Sequence, residues 1–332
     1  MTAIPLGRGA EFGLIRQFLD AAAMDDQPAI PDAVRVGPGD DCAVVRGDGI
    51  ALSVDMSVEG VHFLREWIEP EEIGYRAAAA ALSDLAAVAA VPIGILVALA
   101  IDPSDAAVTA PRVMEGARAA AAGVGAVLLG GDLTRTAGAM VVDVVVVGNA
   151  VRPALRSGAR PGDSLWVSGE LGAAAAAVHA WKCGREPESA ARIAFALPAP
   201  RTAEAVWLAD RGVVTALIDL SDGLAGDVGH IAAASDVRIV VDAAAVPIHP
   251  IAQLGADDVE HGLRLALTGG EDYELCFTAP AGAVERVAAL FTETFGLRLT
   301  RVGSVLAGGG VFLRDYSGTV DELRLAGYDH LG

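Results

Sequence analysis

At 332 residues the chain exceeds what one hydrophobic core organises, so two domains of comparable size with a cleft between them are expected. Hydrophobic residues make up 53% but aromatics only 5%, which fits a tightly packed globular protein better than a membrane-embedded one. The net charge of −19 excludes nucleic acid and anionic lipid as partners, since both demand a basic surface, and it favours cations instead. The longest charge-free run, residues 85–101, is Ala-rich, contains Pro92 and Gly94 and falls short of a membrane span. The first residues show no basic stretch followed by an apolar one, so no secretory signal is visible and a cytoplasmic location is expected. Cys42, Cys183 and Cys276 are too widely spaced for a disulfide framework or a zinc site. Lys182 is the only lysine and lies outside any glycine-rich loop, so neither a Walker A motif nor a protein-kinase lysine exists. Phosphate, if handled, must meet metal ions, arginines and backbone N–H groups.

In chain order, apolar residues at helical spacing predict a helix over 11–23. Strands over 34–36 and 42–45 flank the sequence GPGDD, and a third over 50–54 ends at Asp55. Glu69 and Pro70 open a helix that runs through GYRAAAAALSDLAAVAA and carries Asp84. A buried strand over 92–101 and a helix over 110–123 follow. A strand over 126–129 leads into a Gly130–Gly131 turn that presents Asp132. The run MVVDVVVV, residues 140–147, predicts a central strand covered on both faces. Residues 149–163 are rich in Arg, Gly and Pro and mark the junction, giving domains 1–150 and 151–332. Beyond it come a strand over 165–168, a helix over 172–181, a polar connection over 184–200, a helix over 201–210 and a strand over 216–220. SDGLAGDVGHIAAAS is a Gly-rich turn opening a helix, a geometry that offers N–H groups to anions. A strand over 238–241 precedes LRLALTGGEDYELCFTAP, which reads as strand, turn and return strand. A helix over 284–295 and strands over 297–302 and 311–314 complete the chain.

Six aspartates, Asp41, Asp55, Asp84, Asp132, Asp219 and Asp222, stand at the ends of apolar elements rather than in charged runs. Taken singly, each is an N-cap or a turn former. Together, hard oxygen donors without His or Cys clustering suit several Mg²⁺ ions completed by phosphate oxygens. His62, Arg135, Arg156, Glu271 and Tyr328 also have structural readings: a strand-edge histidine, surface arginines, a hairpin glutamate and a C-terminal docking residue. The residues alone lead to an acidic two-domain α/β enzyme that uses Mg²⁺ and a nucleotide.

GPGDDCAVV, SVDMSVEGVHF, ALSDLAAVAAVP, GGDLTR, RSGARPGD, IDLSDGLAGDVGHI and GGEDYELCF occur in this order along nearly the whole chain, and GYDHLG follows. In these motifs the sequence resembles the thiamine-monophosphate kinase family, part of a superfamily with aminoimidazole ribonucleotide synthetase. The resemblance implies an α/β fold of α+β type, with an N-terminal sheet that forms a barrel across a homodimer interface and a C-terminal α/β domain. It implies ATP and thiamine monophosphate as substrates, several Mg²⁺ ions, and direct in-line phosphoryl transfer giving thiamine diphosphate. Asp41, Ser53, Val54 through its backbone, Asp55, Asp84, Asp132, Asp219 and Asp222 match metal positions, with Asp84, Asp132 and Asp219 catalytic. Gly131, Asp132, Arg156 and Ser221 match nucleotide positions, and His62, Glu271 and Tyr328 match the thiamine phosphate positions. Asp40 and Glu59 are left to capping or support. Four positions depart from the family pattern: Val54 and Leu133 replace hydroxyl residues, Ala81 an Asn, and Met114 an aromatic. The rival readings are another ATP-dependent enzyme of the superfamily, or a catalytically silent acidic Mg²⁺-binding regulatory protein. Selenophosphate synthetase is disfavoured because residues 1–33 hold neither Cys nor Lys.

Overall fold

The computed structural model describes residues 34–36, 42–45, 47, 49–253 and 259–323. The helix expected over 11–23, and the residues Asp40, Asp41 and Tyr328, lie outside the described residues.

Strands β1 (Val34–Val36), β2 (Ala43–Val45) and β3 (Ile50–Val58) pair antiparallel in succession. β3 continues past the expected 50–54, so Asp55 lies inside a strand and not at its end. Helix α1 (Pro70–Ala87) starts on a capping box in which Glu69 and Glu72 exchange side-chain and backbone bonds, with Pro70 at the first turn. Its small side chains allow burial on almost every side, including Ala78, Ala79 and Ala81. Strand β4 (Val91–Ile101) leads to helix α2 (Pro103–Gly123), whose N-cap Asp102 accepts the Ser104 N–H at 2.8 Å. The two helices cross in close contact. A Cβ on Gly74 would stand 1.8 Å from the Val113 carbonyl oxygen, and one on Gly116 would stand 1.7 Å from that of Glu71.

Strand β5 (Val127–Arg135) runs parallel to β4 along its whole length. In place of the expected turn after residue 129 there is only a register shift at Leu129, after which ladder bonding to β4 resumes through Gly130 and Gly131, and Asp132 stands in mid-strand. Strand β6 (Val141–Asn149) lies between β3 and β4, giving the order β1-β2-β3-β6-β4-β5. β6 is central as expected, but among the described residues only one face is fully covered. Val142, Val144 and Val146 are fully buried beneath the helices, whereas Val141, Asp143 and Val145 are partly exposed. On that outer face Val54 is 61% and Met56 52% exposed, with Leu96 and Leu129 beside them.

The second half contains strand β7 (Ser164–Ser168), helices α3 (Ala173–Lys182), α4 (Ser189–Ala196) and α5 (Thr202–Asp210), strand β8 (Ala216–Asp219), helix α6 (Leu224–Ser235) and strand β9 (Arg238–Asp242). It continues with α7 (Pro250–Gln253), α8 (Val259–Thr268), β10 (Leu275–Ala279), α9 (Ala288–Phe295), β11 (Leu299–Leu306), β12 (Gly310–Arg314) and β13 (Val320–Glu322). The sheet order is β13-β12-β9-β11-β7-β10-β8, and β7, β8 and β10 are buried along their whole length. Two expectations fail here. The connection over 184–200 includes α4, which buries Ala191 and Phe195. The expected hairpin around Gly269 is instead α8 followed by an irregular turn, because Leu263, Ala266 and Leu267 recur at helical spacing and pack into the core around α6.

α1 belongs to both halves. Its middle packs under the first sheet, and Ala86 at its end joins Trp166, Leu208 and Phe277 in a core of the second half.

Candidate active site

The end of α1 brings acids of both sheets together. Asp84 accepts a hydrogen bond from the Ser53 hydroxyl of β3 at 2.5 Å, and its backbone carbonyl accepts the Cys42 thiol at 3.3 Å. The preceding residue, Ser83, is fully buried and donates its hydroxyl to Asp219 at 2.6 Å. Asp219 ends β8 and is 3% exposed. Consecutive helix residues thus hold one carboxylate in each half, each against a serine hydroxyl. Asp55 is two residues along β3 from Ser53 and shares its face. Burial, together with the negative charge of Glu271, pushes its carboxyl up to about 6, against the opposing pull of the Met56 N–H and the Arg76 cation.

The turn after β8 supplies the rest. Ser221 and Asp222 are partly exposed, and the Asp222 N–H donates to Asp227 at 3.2 Å. Asp227, on the first turn of α6, is 2% exposed, and burial with the charges of Asp222 and Asp219 raises its carboxyl well above the usual carboxylate range. Arg156 lies close enough to oppose that rise, and its carbonyl accepts the Ser235 hydroxyl at 3.1 Å. The loop before β10 folds over this turn. The N–H groups of Glu271 and Tyr273 donate to the carbonyls of Ser221 and Leu220, each at 2.8 Å. Gly270 fits only as glycine, since a Cβ there would stand 2.4 Å from the Ser221 carbonyl oxygen. Glu271 projects its carboxylate to Arg76 at 2.5 Å and to the Tyr273 hydroxyl at 2.7 Å. Beyond it opens a cavity of about 670 Å³, lined by Glu271, Asp272, Arg201 and His249 among others. Burial raises the Asp272 carboxyl well above its ordinary value, against the Gly172 N–H that donates to it at 2.8 Å.

Ser53, Asp55, Asp84, Asp219, Ser221, Asp222, Arg156 and Glu271 are therefore drawn around the end of α1 and the loops facing it. His62 lies in the turn after β3, where its Nδ1 accepts the Val58 N–H at 3.0 Å. Gly131 and Asp132 stand apart in the single chain. Asp132 is in register with Ala98, which pairs in turn with Asp143, and Asp143 with Met56. Asp132 thus shares the outer sheet face with Met56, three strand spacings or about 14 Å from β3. Val54 also points outward, so its backbone is all it can offer the site. Glu59 is structural, accepting the Met140 N–H at 3.0 Å and pairing with Arg65. Met114 packs against the first-half core.

The sequence reading missed Ser83, Arg76, Asp227 and Asp143. Ser83 and Arg76 sit in an alanine-rich helix, where only the seven-residue spacing between them signals a shared face. Asp227 reads as a routine first-turn acid. Asp143 is hidden in a valine run; its Oδ1 is buried without a hydrogen-bond partner among the described residues, and burial raises its carboxyl. Among the described residues no three His, Cys, Asp or Glu side chains form a ready-made metal cage. The acids are spread over β3, α1 and the turn after β8, a sparser arrangement that suits a cation keeping several water or substrate oxygens.

Residues 39–150 match the N-terminal domain, and residues 160–315 the C-terminal domain, of AIR synthase related proteins. The thiamine-monophosphate kinase of Escherichia coli is 34% identical over 336 residues, covering 96% of this chain and 98% of that protein. The chain belongs to the thiamine-monophosphate kinase family. The family's enzyme from Mycobacterium tuberculosis is 37% identical over 265 residues, covering 76% of this chain and 78% of that one. Among solved structures, AaThiL complexed with AMPPCP and TMP superposes with a TM-score of 0.82 at 28% identity, covering 99% of both chains. Family membership accounts for the shared two-sheet fold. No described helix is long and apolar enough to cross a membrane.

Proposed function

We propose that this chain transfers the γ-phosphoryl group of ATP onto the phosphate of thiamine monophosphate, giving thiamine diphosphate. The observation that carries the reading is the placement of Asp84 and Asp219 by consecutive residues of α1, with Asp55 beside them. Family relatives named for this reaction, and a relative complexed with AMPPCP and TMP, support it. The donor set is carboxylate and hydroxyl oxygen, and burial, with the neighbouring Glu271 charge, raises the Asp55 carboxyl, a cost to its anion that a bound cation would offset. Both features fit Mg²⁺.

Asp41, Ser53, the Val54 backbone, Asp55, Asp84, Asp132, Asp219 and Asp222 would hold Mg²⁺, which when bound neutralises charge on the phosphates of both substrates. Ser53 and Ser83 fix the carboxylates they donate to, so the acids are aimed before substrate arrives. Gly131, Asp132, Arg156 and Ser221 are assigned to the nucleotide, and His62, Glu271 and Tyr328 to the thiamine phosphate. The acceptor phosphate is already anionic, so no residue need remove a proton; the protein aligns two anions that repel each other. The domains are taken as 1–150 and 151–332. The apolar outer face around Val54, Met56, Leu96 and Leu129 supports a homodimer in which two first sheets close into a barrel. Asp132 and Gly131, on the edge strand and outer face of the single chain, would join the site in that assembly. A cytoplasmic location follows from the need for ATP.

Incubating the purified protein with ATP and thiamine monophosphate, with and without Mg²⁺, tests the reading. Thiamine diphosphate should form only with the metal, and Asp84→Asn should lower the rate at least about a hundredfold. ADP release without thiamine diphosphate would refute it.

A further inference from the structure

We infer that Arg76 is a positioning residue for the acceptor substrate, presenting Glu271 as a one-sided hydrogen-bond acceptor; the inference rests on the function proposed above. Arg76 is only 4% exposed on α1, an unfavourable place for a cation unless its charge and donors are used. Each is. Nη1 donates to the Phe195 carbonyl at 2.7 Å, Nη2 pairs with Glu271 Oε2 at 2.5 Å, and the guanidinium lies 3.8 Å from the centre of the Phe195 ring. One side chain thereby joins α1, α4 and the loop before β10.

Both partners of the Glu271 carboxylate use the same oxygen. The Arg76 guanidinium and the Tyr273 hydroxyl converge on Oε2, leaving Oε1 with no protein donor among the described residues. The side chain remains 25% exposed and lines the 670 Å³ cavity. Because Arg76 compensates the charge, the free Oε1 acts less as a counter-ion than as a directional acceptor. It selects an N–H donor on the acceptor's heterocycle. The backbone arrangement points the same way. Glu271 and Tyr273 both hold left-handed conformations, φ 66° and 50°, which non-glycine residues adopt only when their surroundings impose them. Arg76 is also seven residues, two helical turns, before Ser83. The α1 face that holds Asp219 therefore also holds Glu271, tying the acceptor side of the site to the acids. A lysine could reproduce the charge but not a planar group that stacks, donates to a carbonyl and pairs at once.

The test compares Arg76→Lys, Arg76→Gln, Tyr273→Phe, Glu271→Gln and the double variant Arg76→Gln/Glu271→Gln, after turnover of thiamine monophosphate by the wild type is established. Arg76→Lys should raise KM for thiamine monophosphate about tenfold while KM for ATP and kcat stay within about twofold. Adding Arg76→Gln to Glu271→Gln should change KM by less than about twofold, since Arg76 acts through a carboxylate already removed. A KM for ATP that rises in parallel, or single effects that multiply in the double variant, overturns the positioning role. Should Arg76→Gln not fold, Arg76→Lys and Tyr273→Phe carry the test, and an unchanged KM for thiamine monophosphate in both overturns it. A wild type without turnover overturns the functional reading, and the role of Arg76 with it.

Discussion

Lowering the pH from 7 to 5 should weaken Mg²⁺ binding through Asp55. An ordinary aspartate, near 3.8, stays more than about nine-tenths ionised over this range. With its carboxyl pushed up to about 6, Asp55 is ionised to about nine-tenths at pH 7 and only about one-tenth at pH 5. Proton and cation compete for the same oxygens, so affinity that depends on this carboxylate should fall about tenfold across the interval. The stability sign is the reverse. A folded-state value raised above the unfolded one means that the metal-free protein binds more protons when folded, so it gains stability as pH falls from about 6 towards 4. Calorimetric titration of MgCl₂ into nucleotide-free protein at the two pH values avoids the titration of ATP itself, and Asp55→Asn serves as the control. Equal affinity at both pH values, or an Asp55→Asn variant that keeps the wild-type slope, would refute the reasoning.

Ser83→Ala removes the buried hydroxyl that donates to Asp219 and should lower kcat/KM about ten- to a hundredfold, with a stability loss of about 1–2 kcal/mol in denaturant titration. Unchanged kinetics would mean that Asp219 needs no such support. Gly116→Ala places a methyl group 1.7 Å from the Glu71 carbonyl oxygen, so α1 and α2 must move apart; a loss of about 2–3 kcal/mol and a lower Tm are expected. A variant as stable as the parent would show that the crossing has slack.

The acids were legible because each interrupts apolar sequence, and Asp84 and Asp219 lie where that pattern points. Their partnership was not, because a serine in LSD and an aspartate in IDLSD carry no mark of pairing across 136 residues. Two strand lengths were misjudged for related reasons. Polar residues in β3 and glycines in β5 look like punctuation locally, but ladder bonds to β6 and β4 carry both strands onward. The hairpin expected around residues 263–279 failed because LRLAL satisfies both periods over so short a run, and only packing into the core around α6 decides for a helix. The covered-face expectation for β6 went wrong on burial alone: a valine run can equally line a sheet whose second face stays partly exposed among the described residues.

α1 also sets how substrates come and go. Swinging the halves apart would break both the Ser83–Asp219 hydrogen bond and the Arg76–Glu271 ion pair, which tie α1 to the second half. A clamshell motion is thus the costly route. Traffic through the cleft is left to side chains and loops moving over a frame that stays shut, and the pace of product release becomes a property of the cleft's margins, separable by mutation from the alignment of the acids beneath.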